Sequence, residues 1–375
     1  MKPRDCQIFK KCGGCDFRLA YSKGQAKKKQ EYIERLFKEY NVTPMVTMKN
    51  PYHYRNKVLR TYKPMGKNKF VSGIYEKGSH WIIPVKDCLI EDNKSQEIHK
   101  TIYRMVKERG ISTFNEDTGE GYLRHILIRA AKVTGEYNVT IVVRDKNFPE
   151  LKEFIKELTK RHSEVKNIYL NPHSRKTSVV VEGPLIQVYG KGSINDKLLG
   201  LQIILSGNSF YQVNRDQTEK LYQLVMDLLE PKAGEEILDA YCGIGIMALL
   251  AATHGAKSIG VELNESAIKD ANEMKVVNNI SNAEFIRGDA TEYIVNLAEK
   301  GKKLDGVIMD PPRSGTTQEF IEALLSLEPE KIVYVSCNPQ QLKLELPSFQ
   351  SKYRVGTIHP VDMFPFTKHV ETVVL

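Results

Sequence analysis

From Gly207 onward, short apolar runs alternate with helical stretches, and this alternation constrains the fold more than any other feature of the chain. Strands separated by ~10–15-residue helical patterns build a parallel sheet covered on both faces, which is a doubly wound, Rossmann-like α/β domain. The predicted strands are Glu236 to Asp239, Ser258 to Leu263, Ala283 to Ile286, Leu304 to Met309 and Ile332 to Ser336. A helix precedes them, with Asn214 as N-cap, Gln217 three residues later in capping-box position, and Leu221, Leu224, Val225 and Leu228 on its apolar face. The first strand runs into Asp239-Ala240-Tyr241-Cys242-Gly243-Ile244-Gly245, Glu262 lies near the end of the second strand and Asp289 follows the third. Glycines there let a ligand approach the backbone, and a carboxylate at the second strand tip can bind ribose hydroxyls. Met247 follows where a dinucleotide fingerprint carries its third glycine, so the turn reads as a site for S-adenosylmethionine, which has no phosphate, rather than for NAD. Asp289 is then placed to meet the adenine amine.

The 375 residues suggest two or three domains at ~150 residues each. With 41% hydrophobic and 27% charged residues the chain is an ordinary globular protein rather than a disordered one. Residues 93–206 read as an α+β region: an amphipathic helix carries Ile98, Ile102, Met105 and Val106, and strands are predicted at His125 to Ala130, Asn138 to Val143 and Thr177 to Val181. Residues 1–92 form a basic region with a helix from about Lys23 to Tyr40, on which Tyr32, Ile33, Leu36, Phe37 and Tyr40 share a face. The predicted division is therefore 1–92, 93–206 and 207–375. Residues 1–100 hold 22 Lys/Arg against 10 Asp/Glu, a surplus of +12 in a chain whose net charge is +9. That asymmetry is the footprint of a polyanionic partner, and the interleaved Phe9, Phe17, Tyr21, Tyr52, Tyr54 and Tyr62 favour RNA or single-stranded DNA, whose bases stack on such rings. The longest apolar run, Ile244 to Ala252, is far below the ~18 residues of a membrane span, and Met1 to Lys11 is too charged for a signal sequence, so the expected location is the cytoplasm.

Two polar tips close the later strands: Asp310-Pro311-Pro312-Arg313 after the fourth and Ser336-Cys337-Asn338-Pro339 around the end of the fifth. Both fall at the carboxyl edge, where doubly wound sheets place their ligands, so Cys337 is expected to be exposed there as a thiolate nucleophile near a basic rim. The C-terminal His369-Val370-Glu371-Thr372-Val373-Val374-Leu375 reads as a last strand whose single carboxylate, Glu371, would have a raised pKa suited to a general base. Cys242 in the cofactor turn reads as packing. Cys6-x5-Cys12-x2-Cys15 and the distant Cys88 put four thiols in one basic region without secretory features, which favours metal binding over disulfides. Their spacing leaves zinc and an iron–sulfur cluster both open.

Together with Phe210-Tyr211-Gln212-Val213-Asn214, these motifs resemble the RNA uracil-C5 methyltransferases, the enzymes that make 5-methyluridine in 23S rRNA and tRNA. The resemblance implies Cys337 as the nucleophile that adds to uracil C6 and Glu371 as the base that removes the C5 proton. It places Gln212, Tyr241, Glu262, Asp289 and Asp310 on cofactor positions beside the turn glycine Gly243. Phe210 falls next to the reacting groups, and Gln212 and Asp310 are also within the set that would hold the base. It implies a [4Fe–4S] cluster on Cys6, Cys12, Cys15 and Cys88, with zinc as the lesser alternative, and RNA as substrate, 23S rRNA ahead of tRNA. With the first cluster cysteine at Cys6, the OB-like N-terminal module with which many members begin is expected to be absent, and Ile246 stands where relatives can carry an asparagine. A cytosine-C5 RNA methyltransferase would also use cysteine addition, but the Asp-Pro-Pro-Arg tip and Glu371 fit uracil better. A non-catalytic RNA-binding protein on this fold would tolerate loss of Cys337 or Glu371, and both are present.

Overall fold

The computed structural model describes residues 6–18, 21–66, 69–148, 150–175 and 180–375. A π-helical turn at Tyr21–Gln25 runs into α1 (Ala26–Leu36). This helix is shorter than the expected 23–40, because Phe37 leaves helical dihedrals (φ −112°, ψ 38°) as its N–H closes on the Ile33 carbonyl. Ile33 and Phe37 are nevertheless fully buried, so the predicted apolar face holds while its last turn does not.

The chain then forms β1 (Lys57–Pro64), β2 (Phe70–Tyr75), β3 (Ile82–Pro84), α2 (Asn93–Glu108), β4 (Leu123–Ala131), β5 (Glu136–Val143), α3 (Leu151–Arg161), β6 (Val165–Pro172) and β7 (Ile186–Tyr189). The strands make one seven-stranded sheet of order β3-β2-β1-β4-β5-β6-β7, antiparallel except for β5 and β6, which α3 connects in parallel. Asp92 caps α2 by accepting the Ser95 N–H, and Ile98, Ile102, Met105 and Val106 share a core cluster with Ile126, Ile128, Val139 and Ile141 of the sheet. Each such side chain contributes about 1.5–3 kcal/mol on burial. The expected strand at Thr177 to Val181 lies mostly outside the described residues, and its described end, Val180 and Val181, is bent. The Asn171 side chain bonds both the N–H and the carbonyl of Glu182, so this stretch is tied by a side chain instead of a ladder. The strand forms later, as β7.

A two-residue turn at Leu199 and Gly200, both left-handed (φ 47° and 83°), joins β8 (Ser193–Leu198) to β9 (Leu201–Ser206). The chain continues through α4 (Arg215–Leu229), β10 (Glu236–Ala240), α5 (Ile246–Thr253), β11 (Lys257–Glu262), α6 (Glu265–Val277), β12 (Ala283–Arg287), α7 (Ala290–Glu299), β13 (Gly306–Met309), α8 (Gln318–Leu327), β14 (Lys331–Ser336), α9 (Pro339–Phe349), β15 (His359–Val361) and β16 (Glu371–Val374). The second seven-stranded sheet has the order β12-β11-β10-β13-β14-β16-β15, parallel from β12 to β14 and antiparallel at β16 and β15. All five predicted strands are present within two residues of their expected ends. Asn214 caps α4 through the Gln217 N–H, but the Gln217 side chain does not complete a capping box. It donates instead to the Val46 and Asp362 carbonyls.

The described residues gather into two compact units, cut at other places than 92 and 206. One takes Met1–Arg18, Asn50–Lys197 and Leu205–Asn208, the other Leu19–Lys49, Leu198–Ile204 and Ser209–Leu375. In the second, Ile33 and Phe37 share a core cluster with Leu238, Val307, Phe320, Leu342 and Leu346. Among the described residues no helix is long and apolar enough to cross a membrane.

Candidate active site

The turn after β10 must reverse the chain from strand to helix within five residues, and three of them use left-handed backbone: Tyr241 (φ 74°), Gly243 (φ 54°) and Gly245 (φ 78°). A Cβ on Gly245 would lie 2.3 Å from the Phe285 ring, so this glycine is required by packing as well as by dihedral. A Cβ on Gly243 would meet nothing within 4 Å, which leaves an open approach to the backbone. Tyr241 carries a side chain in this region at a cost of roughly 1–2 kcal/mol. Its hydroxyl bonds Thr316 Oγ1 at 2.7 Å.

Carboxylates surround the turn. Asp239 is fully buried; its Oδ2 accepts the Ala248 N–H at 3.0 Å, while Oδ1 has no hydrogen-bond partner. Burial, reinforced by the charges of Asp310 and Glu262, pushes its pKa up to about 8. Glu262 accepts the N–H of Gly243 at 3.2 Å and of Asn264 at 2.8 Å, which fixes it against the turn. Asp289 is the N-cap of α7, where Oδ1 alone takes the N–H groups of Thr291 (2.8 Å) and Glu292 (3.1 Å). Cys242 is buried and its thiol pKa is raised well above normal by desolvation, as packing requires. Ile246 is buried in the first turn of α5. A cation carried by an adenosyl group fits this donor set: an orphaned buried carboxylate oxygen, an open glycine and an excess of negative charge.

The reacting pair follows from strand register. β14 and β16 are antiparallel with Ser336 opposite Thr372, so one residue further on Cys337 stands opposite Glu371. Side chains facing each other across such a ladder have Cβ atoms about 4.5–5.5 Å apart. Asp310 leaves β13 on the neighbouring strand. Glu371 is 4% exposed, and its pKa is pushed up to about 8 by burial and then by Asp310, with Arg313 pulling the other way. Burial raises Asp310 to about 7.

Cys337 is half-buried rather than exposed, and burial together with Glu371 and Asp310 pushes its thiol up to about 11. The expected thiolate is therefore corrected. The neighbours of the sulfur are mainly carboxylates, Arg313 being the opposing charge, and they favour the protonated thiol.

Sequence reasoning missed the supports of this edge. Buried Glu345 accepts the Tyr334 hydroxyl at 2.6 Å, the Thr316 N–H at 3.2 Å and the Gln341 amide at 2.7 Å, and so ties down the loop after Asp310. Arg313 reaches His369 Nδ1 at 3.2 Å, and its carbonyl accepts the Asn338 amide at 3.0 Å. From α1, buried Lys29 donates to Asp362 Oδ1 (2.6 Å) and to the carbonyls of Phe364 (3.1 Å) and His369 (2.9 Å), bracing the approach to Glu371. A buried lysine inside a basic helix gives no sequence signal of such a role. Upstream of α4, Ser209 bonds Asp270 and the Asn214 amide donates to the Met363 carbonyl at 2.8 Å. Between these anchors Phe210 is 67% exposed and Gln212 half-buried.

In the other unit Cys6, Cys12, Cys15 and Cys88 are all free and half-buried. They share one neighbourhood: the Cys15 thiol is pushed up to about 12 by burial and by Cys88, Cys12 and Cys6, and Cys88 also reaches about 12. Gln96 clamps the Cys88 backbone, accepting its N–H at 2.6 Å and donating to its carbonyl at 2.9 Å. Among the described residues no three Cys, His, Asp or Glu close into a metal-binding group. Bare thiols have no attraction to draw them to bonding distance, and each raises the cost of ionising the next. Thiolate sulfur is the donor type that soft metal centres take, but among the described residues these four are not gathered into a metal-binding group.

A family profile described as tRNA (uracil-5-)-methyltransferase matches residues 21–375. A protein named an uncharacterized RNA methyltransferase from Clostridium tetani is 37% identical over 378 residues, covering 99% of this chain and 82% of the relative. One of the same name from Bacillus cereus is 34% identical over 383 residues, covering 100% of this chain and 83% of the relative. The crystal structure of the Pyrococcus abyssi tRNA (uracil-54, C5)-methyltransferase in complex with S-adenosyl-L-homocysteine matches with a TM-score of 0.81 at 29% identity, over 95% of this chain and 83% of that one.

Proposed function

Because this chain belongs to the tRNA (uracil-5-)-methyltransferase family and is an S-adenosylmethionine-dependent RNA methyltransferase, we propose that it methylates C5 of a uridine by way of a covalent bond from Cys337 to uracil C6. The observation that carries this reading is the register that sets Cys337 opposite Glu371, with Asp310 on the adjoining strand. Uracil C5 is a poor nucleophile. Addition of the Cys337 sulfur to C6 shifts the C5–C6 π electrons toward C5 and the C4 carbonyl, and as the bond forms the thiol proton passes to a carboxylate of the cleft other than Glu371, which stays ionised for the later step. Bound S-adenosylmethionine supplies the methyl group as a sulfonium electrophile. Glu371 then takes the C5 proton, the C5–C6 double bond re-forms, and the carbon–sulfur bond breaks to return Cys337. With a pKa of about 8 in the bare fold, Glu371 must first be ionised to act, which a bound sulfonium cation favours, and it is then a strong enough base to take that proton.

Gly243 leaves room for the adenosyl moiety at the turn. Tyr241, Glu262, Asp289, Asp310 and Gln212 would hold the cofactor, with Gln212 and Asp310 also in reach of the base and exposed Phe210 beside it. The base must leave its stack to enter such a cleft. Cys6, Cys12, Cys15 and Cys88 would hold a [4Fe–4S] cluster that serves folding and RNA docking, since methyl transfer needs no redox step. Iron and acid-labile sulfide in anaerobically purified protein support the cluster; zinc without sulfide points to the other occupant.

The function is tested by tritium release from 23S rRNA and tRNA fragments transcribed with C5-tritiated uridine, comparing wild type with Cys337→Ala. The sequence ranks 23S rRNA first, whereas the P. abyssi relative acts on a tRNA, and the RNA that releases tritium assigns the substrate. Release that depends on both the methyl donor and Cys337 is the expected result. Methylation of cytosine, or no release from any RNA, overturns the uracil reading.

A further inference from the structure

The single tryptophan of the chain, Trp81, is 67% exposed at the end of the β2–β3 turn, where a ring of that size ordinarily seeks cover. Its backbone is fixed on both sides. The Trp81 carbonyl accepts the Glu76 N–H at 2.8 Å, its own N–H donates to Ser79 Oγ at 3.1 Å, and the Ser79 N–H donates to the Glu76 carbonyl at 3.0 Å. The segment carrying Cys12 and Cys15 braces the same turn. Cys12 forms an antiparallel bridge with Glu76, the Lys77 N–H donates to the Lys11 carbonyl at 3.1 Å, and a Cβ on Gly13 would lie 3.6 Å from Lys77 Cα. The indole is thus presented on a rigid, doubly tied hairpin.

A cation stands over the ring. Lys63 Nζ of β1 stands 5.9 Å from the ring centroid, and Lys69, Lys77 and Lys86 are exposed on the same strands and turns. Of the nearby acids, Glu76 is half-buried and accepts the Ser79 hydroxyl at 3.5 Å, Asp16 pairs with Lys77 at 3.7 Å, and Asp87 is paired with Lys100 at 2.7 Å. An exposed indole with a lysine ammonium over it, on a hairpin that bears further exposed lysines, offers a π face for a base and charge for the adjoining phosphates. A protein hot spot would instead be ringed by apolar side chains that exclude water.

We infer that Trp81 is a stacking platform for an unpaired base of the RNA substrate, with Lys63 and its neighbours binding the flanking phosphates. The inference rests on the RNA methylation proposed above and names a recognition residue for it. Because the chain has one tryptophan, its intrinsic fluorescence reports this site alone. The full chain is titrated with the RNA fragment that releases tritium, while binding is measured independently by filter retention. Quenching that saturates in step with binding is expected. Trp81→Ala should bind that RNA roughly five- to a hundredfold more weakly, with Trp81→Phe retaining most of the affinity. Lys63→Ala should lower the slope of log affinity against log salt by about one. Unchanged Trp81 emission at saturating RNA, or wild-type affinity in Trp81→Ala, overturns the platform while tritium release leaves the methylation reading standing; such a result would fit a protein-docking role. A wild-type chain that releases no tritium from any RNA overturns both.

Discussion

Glu371 holds a proton in the bare fold that it would shed when unfolded: its pKa is about 8 in the folded chain against an ordinary 4.5. Between those values the folded state binds more protons than the unfolded one, so stability falls as pH rises through the window. Glu371→Gln removes that titration. Its melting temperature relative to wild type should therefore climb from about pH 5 to about pH 8, as followed by thermal unfolding without ligand. An unchanged difference would show that the carboxyl is already ionised. The same variant tests the chemistry, since Cys337 can still add and the methyl can still transfer while the C5 proton stays. RNA should accumulate on the protein as a complex stable to denaturing gel, and tritium release should fall roughly 10²–10⁴-fold. Asp239, Asp310 and Glu371 all sit near or above neutrality in the ligand-free fold. Binding of a sulfonium favours their ionised forms, whereas S-adenosylhomocysteine is neutral at sulfur. The affinity ratio of the two ligands should shift toward S-adenosylmethionine as pH rises from about 6 to about 8, as read by calorimetry.

At the scale of elements, the strands of the second sheet were legible because each is a short apolar run bounded by turn residues, and β10 to β14 lie where the pattern puts them. The positions of Cys337 and Glu371 at strand ends were legible for the same reason. The raised pKa of Glu371 was legible from its apolar strand, but the protonated thiol of Cys337 was not, because it depends on which charges the sheet order brings alongside, and sheet order is tertiary. Gln217 shows the limit at one residue: its spacing from Asn214 suits a capping box, yet two buried carbonyls, Val46 and Asp362, claim its amide. Helix α1 was legible as amphipathic, but what its face covers was not. Lys29 is the clearest case, since its ammonium satisfies Asp362 Oδ1 and two carbonyls while Asp362 Oδ2 is left buried without a partner. Lys29→Ala would strand that carboxylate and should cost about 3–5 kcal/mol in urea unfolding. A Lys29→Met/Asp362→Leu pair should recover most of the loss, because no charge is then left unpaired and only the Phe364 and His369 carbonyls lose a donor. Equal stability of the single and double variants would contradict the pairing.

For the whole molecule, the division read from the sequence starts the methyltransferase domain at 207, while the core draws in residues from much earlier in the chain. Ile33 and Phe37 lie in one cluster with Leu238, Phe320 and Leu346, so residues 19–49 belong to the catalytic unit. A fragment of 207–375 alone should show the broad unfolding and dye binding of a loosely packed state, and adding 19–49 in trans should sharpen the transition. The textural boundary near 206 was visible because strand–helix alternation begins there. The contribution of 19–49 was hidden because a basic amphipathic helix after a cysteine cluster looks like part of the cluster region. Its consequence reaches synthesis and folding. Both units are discontinuous in sequence, and Lys29 must wait for a partner 333 residues downstream. Contacts so far apart in sequence raise contact order and slow the search, so the methyl-transfer half should be the later of the two to mature, emerging from the ribosome with an uncovered apolar seam that invites chaperone capture.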